Sequence, residues 1–476
     1  MTYPSLMPRL LALLMAVVVS VLSAGEWPQF RGVNASGVSD ARNLPVEFGP
    51  DKNVVWKTAL PGGHSSPVLT ADRIFVTGFD EEKLYVITLD RASGKILWRR
   101  DVPRPRKEEL HKSNSPASPS VATDGKNTYA FFTDFGLVSH GPDGEERWRV
   151  PLGPFSNPFG MGASPVLANG KVIQVCDSET GSFLIAADQT TGQIAWRAER
   201  PGVTRGYATP VIYQPKSGGL QALIAGTNSL VAYDVDTGEQ IWSVRGLSWQ
   251  VKPTPVVDGD IAYVLSWAGG SDQGSQEEVP AYHYVLKESD ANQDRKLAVD
   301  EAPLQYQKLL RESDFNKDGF YDEREWEKFQ EKRSSTNSVM AVRLGGSGDM
   351  TAQSVVWRYY KSLPNVPSPL LYRNVLYLVK EGGILTALDA ASGSLLKQGR
   401  ITGALDYYYS SPVAADGKIY TASQSGDVAV IRAGPEWEIL AVNKMDDEVF
   451  ATTVPLDGRL YIRTKSALYC FAKGIN

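Results

Sequence analysis

A Ser/Thr-Pro step followed by apolar residues recurs along the chain and constrains its fold more than any other feature. The copy SPVLTADRIFVTG begins at Ser66, and SPVLANGKVIQVC begins at Ser164. Each copy continues through apolar strands and a Thr/Ser-Gly turn, and usually reaches a Trp. The prolines of this step are Pro67, Pro119, Pro165, Pro210, Pro255, Pro369 and Pro412. They lie 43–52 residues apart, except for one interval of 114.

A period near 45 residues with about four strands in each copy is typical of β-propeller blades. Weaker copies begin at Ser118 and Thr254, and the last copy, from Thr452, ends after three strands. The segment 53–60, NVVWKTAL, carries Trp56 without a blade before it. We therefore predict an all-β fold, an eight-bladed β-propeller, in which this segment closes the last blade and removes the open sheet edges. Seven blades is the alternative count.

Three stretches resemble a known family. AYDVDTGEQIW (232–242) and ALDAASG (387–393) resemble the repeat of PQQ-type (pyrroloquinoline quinone) propellers. EWPQFRG (26–32) resembles the start of a bacterial group usually called PQQ-binding-like β-propeller repeat proteins. The resemblance covers nearly all of the chain beyond its first 24 residues, except one insert. It implies a quinoprotein-like propeller but no single activity, because the family includes both enzymes and non-enzymatic scaffolds.

The first 24 residues differ from the rest. They hold Arg9, then the apolar run LLALLMAVVVSVL, then small residues up to Ala24, which predicts a secretory signal peptide over 1–24. A retained membrane anchor is the alternative, although the run is short for a spanning helix. We expect a periplasmic or secreted protein without a membrane span after signal removal. The family also resembles a lipoprotein propeller of the outer-membrane assembly machinery, but no lipid-anchor Cys follows this run.

The long interval between Pro255 and Pro369 predicts an insert over 268–337, between the second and third strands of one blade. That connection emerges on the same face as the links between blades, so the insert should lie over this face. The propeller itself is then 25–267 and 338–476. The segment APLQYQKLLRES inside the insert has helical apolar spacing, which predicts a small α-helical unit.

The insert contains the loop 314–325, DFNKDGFYDERE, which has the spacing of an EF-hand. Calcium takes six to eight oxygen ligands, which this loop supplies from positions 1, 3, 5, 7, 9 and 12. Gly319 stands at position 6, where the chain must turn sharply, and Tyr321 takes the apolar position 8. The predicted ligands are Asp314, Asn316, Asp318, the backbone of Phe320, Asp322 and Glu325.

A second candidate, the loop 290–301, DANQDRKLAVDE, fits the same pattern less well. Arg295 replaces the turn glycine, at a conformational cost, and Ala298 offers no side-chain oxygen at position 9. We therefore expect weaker calcium binding here. The predicted ligands are Asp290, Asn292, Asp294, the backbone of Lys296 and Glu301.

The charge distribution also separates the insert from the propeller. The stretch 288–325 has 11 acidic and 6 basic residues, so the rest of the chain is balanced at 43 of each. A balanced propeller gives no reason to expect nucleic-acid binding. The clustered carboxylates of the insert should repel one another unless Ca²⁺ is bound.

The links between blades precede each Ser/Thr-Pro step and should surround one mouth of the central funnel. They are rich in aromatic and polar side chains, which suit a recognition surface. The alternative is that these rings only pack between blades. The predicted mouth residues are Phe159, Arg205, Tyr207, Trp249, Lys252, Tyr407, Tyr408, Tyr409 and Phe450.

These observations favour an exported, monomeric binding scaffold with a protein or glycan partner and Ca²⁺ in its insert. A PQQ-dependent dehydrogenase of alcohols or sugars is the alternative that the resemblance implies. The chain is short for that class and lacks the adjacent Cys-Cys pair often found there. Its two cysteines, Cys176 and Cys470, lie in distant repeats and are predicted to be buried free thiols. A third hypothesis is a calcium-stabilised structural protein whose insert docks a partner.

Overall fold

The structure is a computed structural model that describes residues 25–270, 272, 274, 277–310, 314 and 318–475. The predicted signal peptide (1–24) and the predicted calcium ligand Asn316 lie outside the described residues. Within the described part of the chain, no helix is both long and apolar enough to cross a bilayer.

Eight antiparallel sheets of four strands form the molecule, numbered here as blades in chain order. Blade 1 contains Val68–Leu69, Arg73–Phe79, Leu84–Asp90 and Ile96–Val102. Blade 2 contains Ala122–Thr123, Thr128–Phe132, Gly136–His140 and Glu146–Pro151. Blade 3 contains Val166–Ala168, Lys171–Cys176, Phe183–Asp188 and Ile194–Glu199. Blade 4 contains Val211–Tyr213, Gln221–Gly226, Ser229–Asp234 and Gln240–Arg245, with Gly348–Asp349 added at its edge.

The remaining blades follow the same order of strands. Blade 5 contains Val256–Asp258, Ile261–Ser266, Ser338–Arg343 and Val355–Tyr359, with a short helix, Thr351–Ser354, before its last strand. Blade 6 contains Leu370–Tyr372, Val375–Lys380, Ile384–Asp389 and Leu395–Arg400. Blade 7 contains Val413–Ala415, Lys418–Ala422, Asp427–Arg432 and Glu438–Lys444. Blade 8 contains Val454–Leu456, Arg459–Arg463, Ala467–Ala472 and, as its outer strand, Val54–Ala59.

The two ends of the chain close the ring within blade 8. Val54–Ala59 pairs antiparallel with Ala467–Ala472, and Trp56 lies opposite Cys470. The predicted count of eight blades is therefore confirmed, and seven is excluded. Cys176 and Cys470 are both buried and free, as predicted.

A ring of hydrogen bonds joins the innermost ends of all eight blades. In each blade, the backbone N–H of one Ser or Thr donates to the side-chain hydroxyl of the equivalent residue in the next blade, at 2.9–3.2 Å. Each of these residues is at most 3% exposed. The members of this hydroxyl ring are Ser66, Ser120, Ser164, Thr209, Thr254, Ser368, Ser411 and Thr452.

Blade 2 differs from the predicted alignment of the repeat. Its copy was expected to begin at Ser118, next to Pro119, but Ser120 occupies the ring position. The hydroxyl of Ser118 instead accepts a hydrogen bond from the backbone of Ser115 in the preceding link. The ring requires a hydroxyl two residues before the first strand, so proximity to a proline is a weaker criterion than this offset.

Tryptophans at the outer strands join neighbouring blades. In five joints the indole N–H donates to a backbone carbonyl of the next blade at 2.9–3.3 Å. These residues are Trp56, Trp98, Trp148, Trp196 and Trp357. Each ring lies on a turn glycine of that blade, where a Cβ atom would come within 2.5–2.8 Å of the indole. The glycines are Gly94, Gly144, Gly192, Gly238 and Gly393, all with positive φ.

The segment 27–39 crosses the end of the propeller that we call the base. Trp27 pairs with Leu69 of blade 1, the Pro28 carbonyl accepts from Thr123 of blade 2, and Asn34 bonds Ile212 of blade 4. Arg31 donates to the Pro369 carbonyl before blade 6, and the backbone of Ser39 donates to Ala414 of blade 7. Phe30 lies between these contacts and lines a cavity on the propeller axis. The segment therefore covers the base and leaves the mouth at the opposite end.

Three helices occupy the connection between the second and third strands of blade 5. They are α1 (Tyr282–Ser289), α2 (Leu304–Leu310) and α3 (Glu323–Ser334). Two short strands, Leu297–Ala298 and Phe320–Tyr321, pair antiparallel between them. The insert has its own apolar core, formed by Val285, Leu297, Ala302, Tyr306, Leu310, Tyr321, Trp326 and Phe329.

We predict that Thr209→Val destabilises the propeller, because it removes the hydroxyl that accepts the Ser164 N–H at 3.0 Å and leaves that buried donor unpaired. The expected loss in free energy of unfolding is about 1–3 kcal/mol. A lower urea midpoint with an unchanged slope would show it. Thr209→Ser is the matched control, because it keeps the hydroxyl and should retain most of the stability. Equal losses in both variants would contradict a role for the hydrogen bond.

Candidate functional site

The wall of the funnel is built from one position of the repeat. The residue two places before each ring hydroxyl faces a cavity on the propeller axis that encloses about 190 Å³. Seven of the eight members of the hydroxyl ring line the same cavity, below these wall residues. The eight wall residues, in blade order, are His64, Ser118, Gly162, Tyr207, Lys252, Val366, Tyr409 and Phe450.

The wall is asymmetric. Blades 7, 8 and 1 contribute a continuous aromatic side, in which Tyr409 lies 5.3 Å from Phe450 and Phe450 stacks on His64 at 4.0 Å between ring centres. In blades 2 and 3 the wall position holds the small residues Ser118 and Gly162, and Asn114 and Phe159 from the preceding links line the cavity beside them. A ligand in this cavity would meet an apolar aromatic surface on one side and hydroxyls below.

Lys252 is the lysine of the axial cavity. Its Nζ donates to Asn365 Oδ1 at 2.8 Å and to Gln250 Oε1 at 3.1 Å, and lies 5.8 Å from the ring centre of Phe159. Burial, with the nearby charge of Arg205, lowers the pKa of Lys252 to about 7. An ammonium has three donors, so one remains for a ligand after these two amides.

Tyr207 is fixed in the wall by two amides. Its hydroxyl donates to Asn157 Oδ1 at 2.7 Å and accepts from Gln250 Nε2 at 3.2 Å. Burial raises the pKa of Tyr207 well above its ordinary value, so this side chain is neutral at physiological pH. Because Gln250 also accepts from Lys252, the two wall residues of blades 4 and 5 belong to one polar network.

His64 is neutral in this environment. Burial is the main cause that lowers the pKa of His64 to about 4, and the positive charges of Arg463 and Lys465 add to it. Arg463 is fully buried beneath this part of the wall, where it donates to the Ser65 carbonyl at 3.1 Å. At neutral pH His64 therefore presents an uncharged imidazole ring to the axial cavity rather than an imidazolium.

A larger side cavity of about 700 Å³ opens next to the axial cavity, between the links of blades 7, 8, 1 and 2. Glu448 at its edge accepts from Gln424 at 2.9 Å and from Lys465 at 3.0 Å. The hydrogen bond from Gln424, and after it the one from Lys465, lowers the pKa of Glu448. Glu448 is therefore ionised, and its carboxylate already accepts from these two side chains. Tyr407, at the rim, is 62% exposed.

The predicted mouth residues fall into four groups. Phe159, Tyr207, Lys252, Tyr409 and Phe450 line the axial cavity, and Tyr407 lines the side cavity. Arg205 and Trp249 do not line either cavity but contact each other beside it, with the guanidinium 5.1 Å from the indole centre. Tyr408 is buried in the core between blades 6 and 7, and its hydroxyl donates to the Ala404 carbonyl.

Several site residues were not anticipated, and one signal would have found most of them. His64 was not among the predicted mouth residues, but it stands two places before Ser66, as Tyr207 does before Thr209. Aligning the repeats on the ring hydroxyl rather than on proline identifies the whole wall. Phe30 and Asn114 could not be found this way, because long-range contacts bring them to the cavity.

The two predicted calcium loops have the same internal hydrogen bonds. The first Asp of each loop accepts from the backbone at positions 5 and 6: Asp290 from Asp294 and Arg295, and Asp314 from Asp318 and Gly319. The carboxylate at position 12, Glu301 or Glu325, accepts from the backbone at position 9 in its own loop. In each loop, the Asp at position 5 accepts from the backbone at position 7.

The backbone at position 6 is left-handed in both loops, with φ of 64° at Arg295 and 84° at Gly319. Leu297 and Tyr321, both at position 8, pair across the two loops. Among the described residues, which omit Asn316, no three His, Cys, Asp or Glu side chains converge into a preformed metal cluster. The loop carboxylates accept from backbone N–H groups of their own loops, and a carboxylate offers two acceptor oxygens.

We predict that the buried amine of Lys252 makes stability depend on pH. Its pKa in the folded protein is about 7, below the ordinary value of 10.5, so between these values the unfolded chain binds more protons and stability rises with pH. Urea midpoints of the parent relative to Lys252→Met should therefore increase from pH 7 to pH 10. Lys95→Met, at an exposed turn of blade 1, is the control for the loss of one lysine charge. A flat difference for Lys252→Met would contradict the burial of a titrating amine.

Comparisons with known proteins agree with the propeller. The family described as Outer membrane protein assembly factor BamB matches residues 38–157, 82–270 and 323–473. No curated protein matches the chain. Among solved structures, BamB from Moraxella catarrhalis is 15% identical with a TM-score of 0.55, covering 88% of this chain and 99% of that one.

Two dehydrogenases are similar as well. Quinohemoprotein alcohol dehydrogenase from Comamonas testosteroni is 14% identical with a TM-score of 0.59, covering 95% of this chain and 81% of that one. A europium-containing methanol dehydrogenase is 10% identical with a TM-score of 0.56, covering 94% and 98%. At these identities the likeness establishes the fold alone. Because the family matches extend over most of the sequence, this chain belongs to the PQQ_2 propeller family, described as outer membrane protein assembly factor BamB.

Proposed function

We propose that this protein is an exported binding propeller whose mouth holds a partner and whose insert binds calcium. The observation that carries the proposal is the funnel wall, where one repeat position supplies aromatic rings, one amine and small residues above the hydroxyl ring. Such a surface offers apolar contact and a few directed polar groups, which is the composition of a recognition site.

The residues of the site support binding more than catalysis. Among the described residues that line the axial cavity there is no Asp or Glu. A quinoprotein dehydrogenase needs a carboxylate base at the substrate and oxygen ligands for a metal beside the quinone. Glu448 in the side cavity is already held by Lys465 and Gln424. The axial cavity therefore does not fit PQQ with its calcium and base, and the dehydrogenase stays the less favoured alternative.

A protein is the partner we infer, with a glycan as the alternative. The family description names an assembly factor, which acts through other proteins. Exposed apolar side chains at the rim, Tyr407 at 62% and Leu405 at 55%, extend the aromatic side of the wall outward. The signal-like stretch 1–24 and the outer-membrane family support a periplasmic or secreted location.

Calcium binding by the insert rests on the equivalence of its two loops. The residues that would hold the ions are those predicted from the spacing, with Asn316 known from sequence alone. Calcium would supply the charge that holds the loop carboxylates together. The second loop should bind more tightly, because Gly319 adopts a positive φ without strain whereas Arg295 does not.

The dehydrogenase alternative predicts activity that the binding proposal does not. We expect no dye-linked oxidation of alcohols or sugars when the purified protein is titrated with PQQ in the presence of calcium. Absorbance would report PQQ binding, and dye reduction would report turnover. Turnover that depends on PQQ would overturn the binding proposal and direct attention to carboxylates outside the axial cavity.

We predict that Glu325→Gln weakens calcium binding by about tenfold or more, because it removes the charge of the position-12 ligand. Calorimetric titration with Ca²⁺ measures this, and the melting of the propeller should not change. Glu327→Gln, an exposed position on the same helix, is the matched control and should bind like the parent. Parent-like binding by Glu325→Gln would show that the ligand assignment is wrong.

A further inference from the structure

Helix α3 connects the second calcium loop to the mouth. Its N-terminal residues, Asp322 and Glu325, are predicted ligands and form a capping box, with Asp322 Oδ1 accepting the Glu325 N–H at 2.8 Å. Two turns further, about 10 Å along the helix, Lys332 contacts the propeller. From this arrangement we infer that calcium at the second loop organises the mouth through α3. The inference rests on the proposed calcium site and adds its regulatory consequence.

The contact between α3 and the propeller is made at Trp249. The Lys332 Nζ lies 5.0 Å from the centre of the indole, and the Arg205 guanidinium lies 5.1 Å from it. Arg205 is itself ion-paired with Glu179, and the two side chains are only 12% and 8% exposed. A cation held near an aromatic face in a partly desolvated place is more strongly bound than at an open surface.

Lys328 stands one turn earlier on α3 and is partly buried there. Burial is the main cause that lowers the pKa of Lys328, and Glu179 and Arg205 are among the charges that act on it. Trp326 and Phe329, on the other side of the helix, are buried in the insert core. Helix α3 therefore lies between the insert core and the links of blades 3 to 5. A displacement of α3 must change its contacts on both sides.

Trp249 is connected to the wall of the axial cavity through the residue that follows it. The next residue, Gln250, pairs with Arg205 in a short parallel ladder, and its side chain bonds both Tyr207 and Lys252. Tyr207 and Lys252 are wall residues. A shift of Trp249 is therefore transmitted within three residues to the blade 4 and blade 5 sides of the funnel wall.

Calcium would change how well α3 is ordered by acting on the first turn of this helix. Without the cation, Asp314, Asp318, Asp322 and Glu325 repel one another where the helix begins, which favours fraying of its first turn. With the cation, these groups are drawn to one point and α3 is ordered against Trp249. Coupling between two sites is reciprocal, so a partner at the mouth should bind more tightly with calcium and should raise calcium affinity by the same factor.

The test is hydrogen exchange of the intact protein with and without Ca²⁺, read by mass spectrometry on peptides covering 203–210 and 247–254. The Tyr207 amide, which donates to the Val251 carbonyl at 2.9 Å, lies in the first of these. We expect calcium to slow exchange in both segments by about fivefold or more. In Lys332→Ala, calcium should still bind calorimetrically as in the parent, but this slowing should be lost, and Lys332→Arg should restore it.

Lys287→Ala, an exposed lysine on α1, is the matched control for loss of one charge from the insert and should retain the slowing. The failure of the inference and the failure of the calcium site can be told apart. If calorimetry shows calcium binding but hydrogen exchange at 203–210 and 247–254 does not change, the proposed coupling is overturned and the calcium site stands. No heat of binding overturns both. Slowing that persists in Lys332→Ala also overturns the proposed route through α3.

Discussion

The hydroxyl ring is the interaction on which the rest of the molecule depends. Eight first strands converge on the axis, where their backbone N–H groups have no sheet partner on the inner side. A buried N–H without an acceptor is costly, and a Ser or Thr hydroxyl from the next blade satisfies each one in turn. Because every hydroxyl serves the neighbouring blade rather than its own, the spacing between blades is set at the axis, and the wall residues two places earlier are placed with the same precision.

Much of this could be read from the sequence, for physical reasons. Ser/Thr-Pro steps, turn glycines and tryptophans are local features, and they predicted the blade count and the closing strand that carries Trp56. Blade 2 was misaligned because Ser118, Pro119 and Ser120 offer two hydroxyls around one proline, and only the three-dimensional ring chooses Ser120. Phe30 reaches the cavity through contacts with distant blades, which no local pattern encodes.

The site itself was predicted in part. Tyr207, Lys252, Tyr409 and Phe450 were expected at the mouth because they lie in the links, and they share the wall position. His64 has the same offset but was given no role, since a single histidine carries little information on its own. Arg205 and Trp249 stand further from the ring hydroxyls along the chain, and neither lines the cavity: Trp249 contacts Lys332 of the insert, and Arg205 contacts Trp249.

The outer strand of blade 8 has a consequence for how the chain is made. Val54–Ala59 pairs with Ala467–Ala472, which follows it in the chain by more than 400 residues. Until Ala467–Ala472 has been synthesised, Val54–Ala59 and Arg459–Arg463 lack the strand that lies between them, and their edges are open to pairing with other chains. The ring therefore cannot close before this strand is made, and a chain truncated before Ala467 would keep seven complete blades but expose the edges of Val54–Ala59 and Arg459–Arg463.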